Sequence, residues 1–514
     1  ARFRLYRWLV GRSATRDFAS HRVWPIEVPE DDHIEVGPLC DELPRLYVAQ
    51  NYPATEHAGP RARSHRLRTF GSRIVGSLPA SRTATIGDER DSFLDQIYTD
   101  RYRAIWPTPP RTPPELEADD PLAALAVSSP FAVYLRHSST LAEPADAVDF
   151  AADDYVIDMR LFDGHAPKPG LVRPGGLAVF TGAGGSLRTR GVLWEGSFHQ
   201  PDDDSFEQAS LALRCAMNTH ITTLVHNATM HLAYVTPMSV TTTNELAADH
   251  PIRRLLHPAL QTTLIGNYQL ASFQIVGRHA FATTLFSYDH ETVMRIVNEH
   301  LDGFVPARFD PEHDFERRGL SIADFALPSW DDRLALWQIA RNYVDAYVAH
   351  YYVDDDAVAA DDQLTAWAAA LDAMLPNGLY DDEGYATRGT PLARGGLARI
   401  CAAFLHTSSV THDVVNNVVW DYATLNYAFP TQLLESGELQ DMRISFDLMN
   451  TYLGTWKPFN MLLDGCSHLA IDETGRQLMN EYVDALRSRQ AEIDADPPRI
   501  GRIEPRNLNP SVSN

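Results

Sequence analysis

Four side chains in this 514-residue sequence have the types and spacing that a redox metal needs. His226 and His231 are five residues apart, while His412 and Asn416 are four apart. A helix stacks residues i and i+4 on one face, so His412 and Asn416 can act together without distortion. Five residues of regular α-helix turn through about 500°, which leaves His226 and His231 roughly 140° apart. These two reach one ion only if their helix unwinds into a π-type turn, a device that clusters at functional sites. Three imidazoles and an amide oxygen, with room for solvent, suit iron or manganese working with dioxygen. No Cys or nearby Glu joins them and HExxH is absent, which argues against zinc hydrolysis. The competing reading of the same spacing is a group of hydrogen-bonded core histidines.

The elements that must carry these residues are legible as charge-poor runs. Cys215 to Asn244 contains no Asp, Glu, Lys or Arg, yet Asn218, Thr222, Thr223, His226, Asn227 and His231 make it too polar for a bilayer. It reads as a helix through the middle of a large protein. GLARICAAFLHTSSVTHDVVNNVVWDYATL (396–425) is a second such helix, and the two read as walls of one buried site. Leu334, Trp337, Ala340, Val344, Tyr347, Val348 and Tyr351 recur at helical spacing, with Ser329 and Asp332 forming an expected capping box at the start. LAVFT (177–181), the turn GAGGS and LRTRGVLWE (187–195) predict a β-hairpin. Its glycines lack the Lys-Ser/Thr of a phosphate loop. The fold class expected is mainly α, with a small β-hairpin or sheet subregion.

Composition narrows the function classes. A formal charge of −24 argues against nucleic acid and against docking on anionic membrane. Residues 1–110 hold 16 Arg against 14 acidic residues, so the acidic excess lies beyond them. A proline-rich stretch, WPTPPRTPPELEADDP (106–121), suggests a boundary between residues 1–110 and 111–514. Within 1–110, Arg2, Arg4, Arg7 and Arg12 interleave with apolar residues and suit a short amphipathic helix lying on the body. Four scattered cysteines indicate neither a disulfide framework nor a thiolate metal site, and no signal peptide is visible, so a cytoplasmic protein with free thiols is expected. Lysine occurs only at 168 and 457, a hint of a bacterial source with a GC-rich genome.

The segments HNATMHLAYVTP, HPIRRLLHPAL (250–260), WQIARNYVDAYVAHYYVDDDAVAADDQLTAW (337–367), HDVVN (412–416) and EPRNLNPSVSN (504–514) together resemble a lipoxygenase. The resemblance runs over roughly residues 110–514. It implies a large helical catalytic domain at 111–514, and an N-terminal extension at 1–110 packed on it in place of the family's lipid-binding β-barrel. It also implies one iron ion, with manganese possible, held by His226, His231, His412, Asn416 and the α-carboxylate of Asn514. The implied reaction takes a hydrogen from a polyunsaturated fatty acid and adds dioxygen to give a hydroperoxide. The metal-bound hydroxide is the base there, so no side-chain acid or base is required. Partners are then dioxygen and an apolar small molecule, with no nucleic acid and no membrane span.

Departures from the family are expected to act on the pocket. The final residue is Asn514 where the family ends in Ile or Val. Thr222 and Val419 stand where many members keep glutamines, and the residue that sets the side of oxygenation aligns near Leu270 or Ala271. These leave open a non-fatty-acid substrate, as in natural-product tailoring, and a non-catalytic binding protein on the same scaffold. His220, His250 and His257 read as structural, His300 and Asp302 as a chance HxD, Asp354–Asp356 and Asp361–Asp362 as solvated helix ends, and Arg253 and Arg254 as surface salt-bridging residues.

Overall fold

A computed structural model describes residues 27–29, 33–51, 112–143, 145–277, 280–321, 324–380, 390–418, 422–423, 425–436 and 461–512. The amphipathic stretch at residues 2–12, and the site positions Val419 and Asn514, lie outside the described residues.

Two strands, β1 (Val36–Pro38) and β2 (Tyr47–Ala49), pair antiparallel, and the loop between them drives Leu43 and Leu46 into the main core. A five-stranded antiparallel sheet follows, in spatial order β3 (Arg136–His137), β4 (Asp154–Asp158), β5 (Leu177–Ala183), β6 (Ser186–Trp194) and β7 (Ser197–His199). The expected hairpin is β5–β6. Its two-residue turn holds Gly184 and Gly185 at φ +60° and +80°, the pair of positive angles that matches strand twist and that glycine adopts without strain. One face of the sheet closes over the helical body through Tyr155, Ile157, Ala178, Phe180 and Val192.

From Phe206 onward the described chain is helical apart from turns, short 3₁₀ segments and one isolated bridge, Leu171 to Leu434. The charge-poor run forms the axis: α-helix Phe206–Thr219, π-helix His220–Val235, then α-helix Thr236–Glu245. Nearly every side chain of the π segment is buried. The second run is also compound, with α-helix Arg394–His406, a π segment Thr407–Thr411 and α-helix His412–Val418.

The predicted apolar stripe on Pro328–Tyr351 buries Trp337, Ala340, Val344, Tyr347 and Val348 and packs this helix between Arg394–His406 and Glu473–Ala495. Each fully buried large apolar side chain contributes about 1.5–3 kcal/mol of transfer free energy, so this stripe anchors the wall that carries His412. Its expected capping box is not formed. Leu327 is the N-cap, and Asp332 points inward, where it accepts hydrogen bonds from Arg489 (2.7 Å), Arg499 (3.1 Å), Arg502 (3.3 Å) and the amide of Ile503 (3.0 Å). A fully buried carboxylate needs paired cations more than a helix end needs a cap. The consequence is structural: the segment 499–503 is moored to the main helix.

Candidate metal centre

Helix distortion is what brings the site together. In the π-helix His220–Val235 the i→i+5 bonding pattern puts residues five apart on one face, so His226 and His231 align, as their spacing demands. Hydroxyls supply a local cause. Thr219 donates to the carbonyl of Cys215, and Thr236 donates to that of His231; such back-bonding competes with the regular ladder and bends helices. The second π segment, Thr407–Thr411, contains Ser409 bonded to the carbonyl of Leu405 and ends directly at His412.

The Nε2 atoms of His226, His231 and His412 form a triangle in which each lies 3.1 Å from the other two, and all three residues are buried. Hydrogen bonds cannot close such a triangle. Each nitrogen is either protonated or a lone pair, so at least two of the three are alike and one contact is always like against like. A cation facing three lone pairs removes the conflict. Burial, and then the charges His231 and His412 would carry, holds His226 well below the ordinary histidine pKa, which keeps its nitrogen available as a ligand. The donor set therefore fits a nitrogen-ligated metal ion.

Two partners orient the rings. Asn267 accepts from Nδ1 of His231 at 2.8 Å and donates to the carbonyl of His231 and to Thr236 Oγ1, both at 2.9 Å. With Nδ1 protonated, Nε2 of His231 faces the cluster as a lone pair. Beside His412, the Asp413 carboxylate lies 3.2 Å from Nδ1 and accepts from the Asn509 amide (2.7 Å) and side chain (3.2 Å). Burial pushes Asp413 up to about 8, against the lowering effect of those Asn509 hydrogen bonds. None of Asn267, Asp413 and Asn509 stood out in the sequence. The available signal for Asn267 was an amide in the middle of an apolar helix, TLIGNYQL.

Asn416 lies one turn beyond His412 on the same short helix and is half-buried. Thr222 is buried one turn before His226, its hydroxyl 3.4 Å from the Asn218 carboxamide oxygen. Leu270 and Ala271 are buried where helix Thr263–Leu270 passes into a third π segment, Ala271–Ile275. The remaining histidines stay out of the triangle. His220 bonds Tyr134 (3.0 Å), His300 bonds Thr229 (2.8 Å), His250 caps Pro251–Leu260 and contacts Asp361, and His257 meets the carbonyl of Glu27. Asp354 and Asp361 are N-caps. Arg253 departs from expectation: it is buried and donates to the carbonyls of Leu246 and Pro29. All four cysteines are free. Among the described residues no helix is long and apolar enough to cross a membrane.

Residues 208–436 match the family model described as Lipoxygenase. The chain is 25% identical over 248 residues to seed linoleate 9S-lipoxygenase-3 of Pisum sativum, a stretch covering 45% of this chain and 28% of that protein. It is 26% identical over 293 residues to seed linoleate 9S-lipoxygenase-3 of Glycine max, covering 52% and 34%. The matched stretches thus span about a third or less of those curated relatives. The fold aligns with the crystal structure of coral 8R-lipoxygenase at a TM-score of 0.74 and 14% identity, over 94% of this chain and 79% of that one. It aligns equally with an anaerobic lipoxygenase structure in complex with arachidonate (TM-score 0.74, 16% identity, 94% and 79%). The family-model match over residues 208–436 and the shared helical fold make this chain similar to lipoxygenases in sequence and in architecture.

Proposed function

We propose that this chain is a non-heme dioxygenase of lipoxygenase type. Its metal, iron with manganese as the alternative, is held by His226, His231 and His412, and Asn416 and the α-carboxylate of Asn514 complete the set. When bound, the metal supplies the one-electron redox chemistry by which a bis-allylic hydrogen of a polyunsaturated fatty acid is lost and dioxygen adds to give a hydroperoxide. The observation that carries this reading is the closed triangle of buried Nε2 atoms, which no pattern of protons satisfies.

The protein's own residues do the positioning. Asn267 fixes the tautomer of His231, while Asp413, itself held by Asn509, fixes His412. Burial of the three rings shields from bulk water the nitrogens that would hold the metal. Catalysis of this kind asks for no side-chain acid or base.

A second reading keeps the centre and changes the substrate to a smaller molecule that is not a fatty acid. Thr222 favours it, because a buried hydroxyl paired with Asn218 presents no long amide to a substrate chain. The test is direct. The purified protein is assayed for stoichiometric iron or manganese, then given linoleate and arachidonate while conjugated-diene absorbance is followed. Full metal occupancy with diene formation supports the fatty-acid reading; full occupancy without diene formation leaves the second reading; no bound metal sinks both.

A further inference from the structure

A cavity of about 940 Å³ lies against the outer flank of the two histidine-bearing helices. Val225, Thr229, Thr411 and Val415 form the shared wall, the first and third being the chain neighbours of His226 and His412. The rest of the lining is unlike a lipid tunnel. It contains seven arginines against five carboxylates, a local positive excess inside a chain of net charge −24.

Several of those charges are already matched. Arg160 pairs with Asp158 (2.7 Å), and Glu299 pairs with His165 (2.9 Å). Arg317 and Arg318 share the single carboxylate of Asp314, at 2.9 and 2.6 Å. Arg318 is also stapled to the chain, its Nη1 donating to the carbonyls of Ala132, Val133 and Leu135. Its role is structural.

Arg333 is different. It is 4% exposed, it sits on the helix Pro328–Tyr351, and its Nε and Nη2 have no hydrogen-bond partner among the described residues. Its guanidinium lies 5.2 Å from the Trp330 ring, whose centroid Arg318 approaches at 4.4 Å. Two cations on one indole, with one shared acid nearby, leave an uncompensated charge in a dry place. The strain is visible in their acidity. Burial first, and Arg318 next, brings Arg333 down to about 10, and burial likewise brings Arg318 to about 10. A buried cation with idle donors is stabilised by an anion that accepts from both.

We propose that this cavity binds a small oxyanion, a carboxylate or phosphate group on a compact molecule, with Arg333 as its anchor. Arg317 lies at the same wall and adds long-range attraction. Val225 and Val415 meet the apolar part of the ligand. The site does not depend on the metal reading, because none of its residues belongs to the histidine triangle.

The experiment is isothermal titration of the full chain, both as purified and after chelator treatment, with inorganic phosphate, pyrophosphate and succinate as probes. Wild type is expected to bind at least one probe saturably, and the tighter of phosphate and succinate identifies the group. Arg333→Met is expected to weaken that binding at least about tenfold. Its ligand-free melting temperature should match or exceed that of wild type, since an unmatched charge has been removed; a merely structural Arg333 would instead lower it. Should Arg333→Met fail to fold, Arg317→Gln serves as the second variant, with binding weakened several-fold. Absence of saturable binding up to about 10 mM of every probe, or unchanged affinity in Arg333→Met, overturns the proposal. Because the chelator-treated protein is included, failure of the metal centre and failure of this site give different results.

Discussion

Asn267→Leu is the sharpest probe of how the centre is held. The substitution keeps side-chain volume while deleting one acceptor and two donors: the 2.8 Å contact to His231 Nδ1 and the 2.9 Å bonds to the His231 carbonyl and Thr236 Oγ1. The carbonyl of His231 keeps Thr236 as a donor, so the unmet group is Nδ1. Losing the partner of a buried polar group costs about 1–3 kcal/mol. Freeing the ring also lets the other nitrogen carry the proton, which removes a ligand. Partners of metal-bound histidines are worth about 10–100-fold in metal affinity, or roughly 1.4–2.7 kcal/mol. The assay is chelator competition for iron at fixed pH, alongside thermal unfolding of metal-free protein. Asn267→Asp, which keeps an acceptor, should recover much of the affinity. If Asn267→Leu competes for iron as wild type does, while His231→Ala does not, the tautomer argument is wrong.

Asp332→Asn should destabilise the protein by about 3–5 kcal/mol, because three arginines lose their shared, fully buried carboxylate; denaturant unfolding measures it. Stability should fall on acidification. His257 and His300 are held down to about 4 and His406 to about 3, chiefly by burial, so the unfolded chain takes up protons near pH 6.5 while the native one does not. Their stabilising contribution is present above pH 6.5 and is lost as pH drops toward 4, at up to roughly 4 kcal/mol per pH unit if all three act together. Thermal melts of metal-free protein between pH 7 and 4.5 check the sign; a flat profile refutes it. One residue appended after Asn514 should weaken metal retention about tenfold or more if the α-carboxylate is a ligand, and unchanged metal content would show that it is not.

How much of this was legible in the sequence depends on range. The histidine spacing stated its own condition, and the π-helix His220–Val235 meets it, because a five-residue interval has only one helical solution for a shared ion. The second π segment, Thr407–Thr411, was hidden: His412 and Asn416 at i, i+4 need no distortion between them, and the unwinding lies just before. Asn267 was hidden because a lone amide in a helix has many structural uses. Asp332 was misread as a cap because Ser-x-x-Asp is a local pattern, whereas its partners lie more than 150 residues away in sequence. Arg253 was misread in the same way, since its carbonyl partners Leu246 and Pro29 are set by the fold.

The brace on His412 also has a consequence for biosynthesis. Asp413 meets Asn509, 96 residues further along the chain, and that stretch is moored in turn by Arg489, Arg499 and Arg502 on Asp332. At about 5–20 residues per second, a ribosome needs roughly 5–20 s to cover that interval. During that time the nascent chain already contains all three histidines but lacks the clamp on one of them. An arrest before residue 489 would therefore leave His412 without its Asp413–Asn509 brace, whereas His231 would keep the hold of Asn267.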